Sequence, residues 1–301
     1  MSRLRRRAVR RLLRLSRGLL CTPAARWPYE WLTATIPAPA GVRFERVSAN
    51  GVPATWCVPE NAPPDRVLLY LHGGGYVFGS GRGYRCFAGE LARLAGCRAL
   101  AIDYRLAPEH PFPAAYDDAL TAYRWLLDRG ATETAVSGDS AGGGLSLALL
   151  AAVRDAGLTL PRAAYVISPW TDLAGTGESV VSKASVDPTL SPKMITRLAE
   201  QYLHGQSATD PRVSPLYGNL SGLPPIYVQV GEDEILHDDS TRYAEKARAA
   251  GSPVEIEVLP KLYHAFHVFL RFLPEAREAL DRGGRFLREH WATDTRETFR
   301  R

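Results

Sequence analysis

The chain has 301 residues, 46% of them hydrophobic, and a formal net charge of +5, enough apolar material for one large core. Cys21, Cys57, Cys86 and Cys97 show no Cys-x-x-Cys spacing, which argues against a metal cluster or a dense disulfide framework and for a reduced, cytoplasmic setting. No run reaches the ~18 apolar residues of a membrane-spanning helix. From the N-terminus, Arg3, Arg5, Arg6, Arg7, Arg10, Arg11, Arg14 and Arg17 come with no acid among them, so the rest of the chain carries about −3 once they are set aside. Leu4, Ala8, Leu12, Leu15 and Leu19 recur at helical spacing between them. This basic amphipathic pattern reads as a helical cap segment, residues 1–40, laid over the mouth of a site with its polar face in water. Binding to nucleic acid or an anionic membrane is the lesser reading, because no base-reading aromatics or helix-turn-helix pattern follow. The arginines also interrupt any apolar signal-peptide core.

Beyond residue 41 a single large domain is expected. Short alternating segments at 42–48 and 54–59 flank Asn50-Gly51, a hairpin signal for two antiparallel strands at a sheet edge. Near-continuous apolar runs follow at 66–71, 98–103, 134–137, 163–168 and 226–230, with a further strand at 254–258. Runs of this kind are strands covered on both faces. Helical periodicity at 84–95, 114–129, 141–156, 239–250 and 275–290 fills most of the gaps. The alternation predicts an α/β domain around a mainly parallel eight-stranded sheet, with helices on each side. The interval from about 170 to 215, after the sixth strand, breaks the rhythm; its start is rich in Gly, Ser, Thr and Pro. An insertion this long is usually a lid, and its helical part, Met194 to Leu203, joins the N-terminal segment as a cap.

Two motifs sit at the ends of apolar runs. Val136-Ser137-Gly138-Asp139-Ser140-Ala141-Gly142-Gly143-Gly144 reads as strand, tight turn and helix, a geometry that pushes the Ser140 hydroxyl out of the backbone. Alone the pattern is weak. Upstream, Val67-Leu68-Leu69-Tyr70-Leu71 runs into His72-Gly73-Gly74-Gly75-Tyr76, where bare glycines leave N–H groups free to hold an oxyanion. Gly74, Gly75 and Ala141, the residue after the serine, are the candidate donors. A serine of this kind needs an imidazole base and a carboxylate to orient it, the latter after the penultimate strand. Gly231-Glu232-Asp233-Glu234-Ile235-Leu236-His237-Asp238-Asp239 offers five acids there, and His264 and His267 follow the last strand.

With Tyr104-Arg105-Leu106-Ala107-Pro108-Glu109 and His264-Ala265-Phe266, these motifs make residues 40 to 290 resemble the bacterial hormone-sensitive-lipase family of esterases, family IV, on the α/β-hydrolase fold. The resemblance implies Ser140 as nucleophile and His264 as base; His267 is the competing choice, otherwise a loop histidine that helps line or close the pocket. The family's acid motif, aligned on Leu236 and Asp238, puts the triad acid at Glu234. The family usually has Asp there, which keeps Asp233 as a rival. Asp238 and Asp239 read as N-terminal charges or caps of the helix at 239–250. Tyr104 to Glu109 reads as architecture, with Arg105 paired to a nearby acid, and His72 as a residue that shapes the glycine loop. Tyr76, Phe78, Trp170 and Tyr202 are the candidate acyl-pocket walls.

The expected activity is hydrolysis of short- to medium-chain carboxylic esters through an acyl-enzyme, with no metal or other cofactor. Deacetylation of a small acylated metabolite, ester or amide, is the alternative within the same chemistry. A non-catalytic small-molecule receptor on the same fold is the alternative outside it, and the presence of Ser140, His264 and a carboxylate argues for the enzyme. The expected partners are a small-molecule ester and a second copy of the chain; no nucleic acid and no stable membrane insertion are expected.

Overall fold

Five of the apolar runs become strands whose alternate residues bury on opposite sides of one sheet. Leu68 and Tyr70 pack with Ala99, Ala101, Tyr165 and Ile167 on one face, while Leu69 and Leu71 pack with Leu100, Ile102, Val136 and Val166 on the other. Each such leucine, fully buried, contributes ~1.5–3 kcal/mol. The computed structural model describes residues 37–270 and 273–291, the helix α1 (Arg26–Ala34) and the separate positions 11, 13, 14 and 24.

The strands are β1 (Val42–Ala49), β2 (Val52–Pro59), β3 (Arg66–Leu71), β4 (Arg98–Ile102), β5 (Glu133–Asp139), β6 (Ala163–Ile167), β7 (Ile226–Gly231) and β8 (Val254–Leu259). Their order in the sheet is β1-β2-β4-β3-β5-β6-β7-β8. β2 runs antiparallel to β1 and β4, and every other pair is parallel. The hairpin β1–β2 turns at Asn50 and Gly51, both at positive φ, as the Asn-Gly pair requires.

Helices α2 (Gly81–Ala95) and α8 (Pro274–Glu289) cover the Leu68 face; α3 (Ala114–Asp128), α4 (Ser140–Asp155) and α7 (His237–Ala249) cover the other. α2 starts because Ser80 Oγ accepts the Gly83 N–H at 2.8 Å and ends at Gly96 in the left-handed region. Between β6 and β7 the insertion forms the short α5 (Ser179–Ser182) and α6 (Pro192–Leu203). α6 is announced by Ser191 at its N-cap and Pro192 in its first turn, and Met194, Ile195 and Leu198 point to the core.

Of the N-terminal segment, α1 is anchored by Arg26. Its guanidinium donates to Val77 O at 2.8 Å and Ala107 O at 2.9 Å and pairs with Glu109. Arg14 donates to the Ser185 carbonyl of the insertion at 2.8 Å. Apart from helical positions 11, 13 and 14, the basic amphipathic run at 4–19 lies outside the described residues, as does Cys21.

Candidate active site

The carboxyl ends of β3, β5, β6, β7 and β8 bring the chemistry-bearing side chains to one edge of the sheet. β5 ends at Asp139, and Ser140 opens α4 with φ +52°, a left-handed conformation that a serine adopts only where its surroundings impose it. The glycines of the motif have a measurable reason. A Cβ on Gly142 would lie 2.1 Å from Leu71 O, and one on Gly138 would lie 2.5 Å from the same atom and 2.4 Å from Gly142 O. The turn is pressed against β3.

Across the cleft, His264 lies in the loop after β8, with Nε2 2.9 Å from Ser140 Oγ. Its Nδ1 faces Glu234 Oε2 at 3.4 Å, longer than a standard hydrogen bond. Ser168, just past β6, donates to the same Glu234 oxygen at 2.9 Å. The carboxylate at the imidazole is therefore that of Glu234; Asp233 is half-buried and its N–H bonds Leu262 O. Burial works against a charged His264, but Glu234, with Asp187 and Asp139 behind it, outweighs burial and holds its pKa above the ordinary histidine value.

The glycine loop faces the serine from β3. Gly74 has φ +128°, and a Cβ there would sit 2.0 Å from Phe78 O, so the loop admits no side chain at this point. Ala141 lies in the first turn of α4, where amides have no acceptor inside the helix. Gly74, Gly75 and Ser140 line one cleft. His72 shapes this loop: its Nδ1–H donates to Gly73 O at 2.8 Å, its ring stacks on Tyr104 at 4.1 Å, and burial lowers its pKa. Tyr104 also donates to His72 O at 2.6 Å, and Arg105 pairs with the buried Asp118.

Asp139 makes a second junction. Its Oδ1 accepts from Tyr70 OH at 2.7 Å and from the Gly73 N–H at 2.9 Å, and its Oδ2 accepts from Tyr84 OH at 3.1 Å. His267 Nε2 lies 3.3 Å from that Oδ2. Burial alone would raise the Asp139 pKa; His267 and these donors reverse that and hold it below the usual value. His267 is thus buried behind the serine turn, not in the pocket wall.

The cleft has an interior volume of about 60 Å³. Of the four candidate wall residues, Phe78 and Trp170 line it and Tyr76 and Tyr202 do not. These two rings stack on each other at 3.8 Å, buried behind the wall, because φ +63° at Tyr76 turns its side chain toward α6. Tyr29 of α1, Leu190, Met194, Ile195 and Leu198 of the insertion, and Leu236 and Ala265 extend the apolar wall. Periodicity marks these residues as apolar and says nothing of which cavity they face. Asp238 and Asp239 stand in the first turn of α7 as N-terminal charges, and neither caps its own helix. Asp238 accepts from Ser179 N and Asp239 from Thr171 N and Asp172 N, all at 2.8 Å, so both fasten the insertion. Among the described residues no group of His, Cys, Asp and Glu forms a metal site.

A profile of the alpha/beta hydrolase fold matches residues 68–268. An acetyl-hydrolase of Streptomyces hygroscopicus is 44% identical over 244 residues, 80% of this chain and 81% of that protein. The crystal structure of an esterase from the bacterial hormone-sensitive lipase family superposes with a TM-score of 0.86 at 43% identity, over 92% of this chain and 97% of that one. The esterase EstE5, soaked with p-nitrophenyl butyrate, superposes with a TM-score of 0.85 at 44% identity, over 89% and 91%.

Proposed function

The chain belongs to the alpha/beta hydrolase fold family, among the bacterial hormone-sensitive-lipase esterases, and from that premise we propose how this carboxylesterase works and on what. Ser140 Oγ attacks the ester carbonyl carbon while His264 Nε2 takes its proton. The N–H groups of Gly74, Gly75 and Ala141 hold the negative oxygen of the tetrahedral intermediate, and Glu234 orients the imidazole and offsets its charge. Collapse expels the alcohol, which His264 protonates. A water then attacks the acyl-Ser140, gives its proton to His264, and leaves as the carboxylic acid when Ser140 recovers its own. The carrying observation is the 2.9 Å contact between Ser140 Oγ and His264 Nε2, opening into an apolar cleft.

The preferred acyl groups are short, acetyl to butyryl. The small interior volume supports this, as do the acetyl-hydrolase relative and the butyrate ester used with EstE5. The test is hydrolysis of p-nitrophenyl acetate and butyrate together with fluorophosphonate labelling of Ser140. Neither turnover nor labelling would replace the enzyme with a receptor for small molecules. Two finer readings belong here. Cys57, Cys86 and Cys97 are buried free thiols, which supports a cytoplasmic setting, checked by fractionation of the host. β8 is an edge strand, which supports a homodimer through its open side; light scattering should then give twice 33.1 kDa.

A further inference from the structure

The proposed chemistry leaves one buried carboxylate beside the site unused. Asp187, in the insertion between α5 and α6, is fully buried. Its Oδ1 accepts the N–H groups of Thr189 at 2.7 Å and Leu190 at 3.0 Å, two residues of the cleft wall. Its Oδ2 accepts the N–H of Ile235 at 3.0 Å, the residue next to Glu234. Thr189 Oγ1 in turn donates to the backbone carbonyl of His264 at 3.2 Å. The strap 187–190 therefore touches the acyl wall, the acid loop and the base loop through one side chain and its neighbours.

A carboxylate is the group that fits this place. Three N–H donors converge on it from two directions, and only a side chain with acceptors on both ends satisfies them all. An asparagine keeps one acceptor and turns its NH₂ toward another N–H. With Glu234 and Asp139, Asp187 is one of three acids whose charge favours protonated His264. Burial pushes the Asp187 carboxyl above its usual range, while His264 and the three N–H groups pull it down.

We propose that Asp187 is a positioning residue for ester hydrolysis, whose single carboxylate ties the cap strap to the loop carrying Glu234 and so seats the acid against His264 and the acyl wall against Ser140. The inference rests on the esterase reading above. A displacement of about 1 Å in a catalytic group costs up to ~10²-fold in rate. Asp187→Asn, folded by circular dichroism, should therefore lose roughly 30-fold in kcat on p-nitrophenyl butyrate, with KM changing less than about threefold. With one of these charges gone, the acidic limb of kcat/KM should also move to lower pH. A purely structural role would lower thermal stability without moving that limb.

Asp187→Glu is the companion variant and carries the test if the Asn form does not fold. It keeps the charge but pushes strap and acid loop apart, so kcat falls while the limb stays at the wild-type pH. Wild-type kcat in either folded variant, or an unmoved limb in Asp187→Asn, overturns the proposal. A wild-type enzyme that cleaves no ester overturns the underlying reading instead, and the two failures are told apart by that control.

Discussion

His264 and His267 lie one helical turn apart in sequence; both are buried, and each faces a carboxylate at nearly the same distance, 3.4 Å to Glu234 and 3.3 Å to Asp139. The difference is what the rest of each imidazole meets. His264 turns its other nitrogen to Ser140 Oγ at the cleft, whereas His267 packs its ring against Phe87 and Phe266, and its Nδ1 has no partner among the described residues. The acids differ as well. Asp139 is already held by Tyr70, Gly73 and Tyr84, which makes its pair a brace between the serine turn and the glycine loop. On the proposed mechanism the first pair transfers protons and the second gives support, and the contact of each histidine's second nitrogen marks the difference.

The widest separation of the two pairs should come from His264→Ala. It should lose ~10⁵-fold or more in kcat on p-nitrophenyl butyrate, because the base and the serine act as a unit; residual turnover within tenfold of wild type would assign the base elsewhere. Glu234→Ala should lose ~10³-fold or more, while Asp233→Ala stays within several-fold. The reverse ranking, read in the same steady-state assay, would move the triad acid by one residue.

His267→Gln tests the brace. Removing one partner of a buried pair is costly, and the donors left on Asp139 reduce the loss to ~2 kcal/mol. Urea unfolding should show that loss with kcat within several-fold of wild type; a collapse of kcat with unchanged stability would make His267 part of the chemistry. The acidic limb of kcat/KM offers a gentler contrast. His264 must be neutral to accept the serine proton, and its pKa is raised by Glu234, Asp187 and Asp139 against burial. Activity should therefore rise with pH through a midpoint above the ordinary histidine value of about 6.5. A midpoint below that value would mean burial prevails.

Smallest of all should be Asp239→Asn. Burial, then the nearby Asp172, raises the Asp239 pKa well above the ordinary aspartate value, and its Oδ1 has no partner among the described residues. A folded-state pKa raised in this way means the native protein binds more protons than the unfolded chain, so stability falls as pH rises toward that pKa. An amide keeps the two N–H contacts and has no proton to lose. The variant's unfolding free energy should match wild type at low pH within ~1 kcal/mol and gain on it as pH increases; a constant deficit would show that the carboxyl itself is needed.

Much of the architecture was legible because its signals are local. All eight strands appear within a few residues of the apolar runs, and the insertion falls after β6, where the rhythm breaks. The serine turn and the glycine loop could be read because close backbone approach excludes side chains at Gly138, Gly142 and Gly74, and that constraint is written as glycine. Less could be read where long-range packing decides. Tyr76 and Tyr202 carry the same aromatic signature as Phe78 and Trp170, yet Tyr76, at positive φ, stacks on Tyr202 behind the wall. Asp187, Asp238 and Asp239 look like ordinary loop or helix-start acids, and only the folded chain shows each of them reaching a distant segment.

Since the turn that carries Ser140 rests on main-chain oxygens of β3, its orientation is inherited from a neighbouring strand, not from its own loop. Selection for new substrates therefore has little to work with near the hydroxyl. Diversification should instead gather in the removable cover, at positions such as Tyr29, Leu190 and Leu198, where a change of side chain reshapes the vestibule and leaves the reactive oxygen aimed as before.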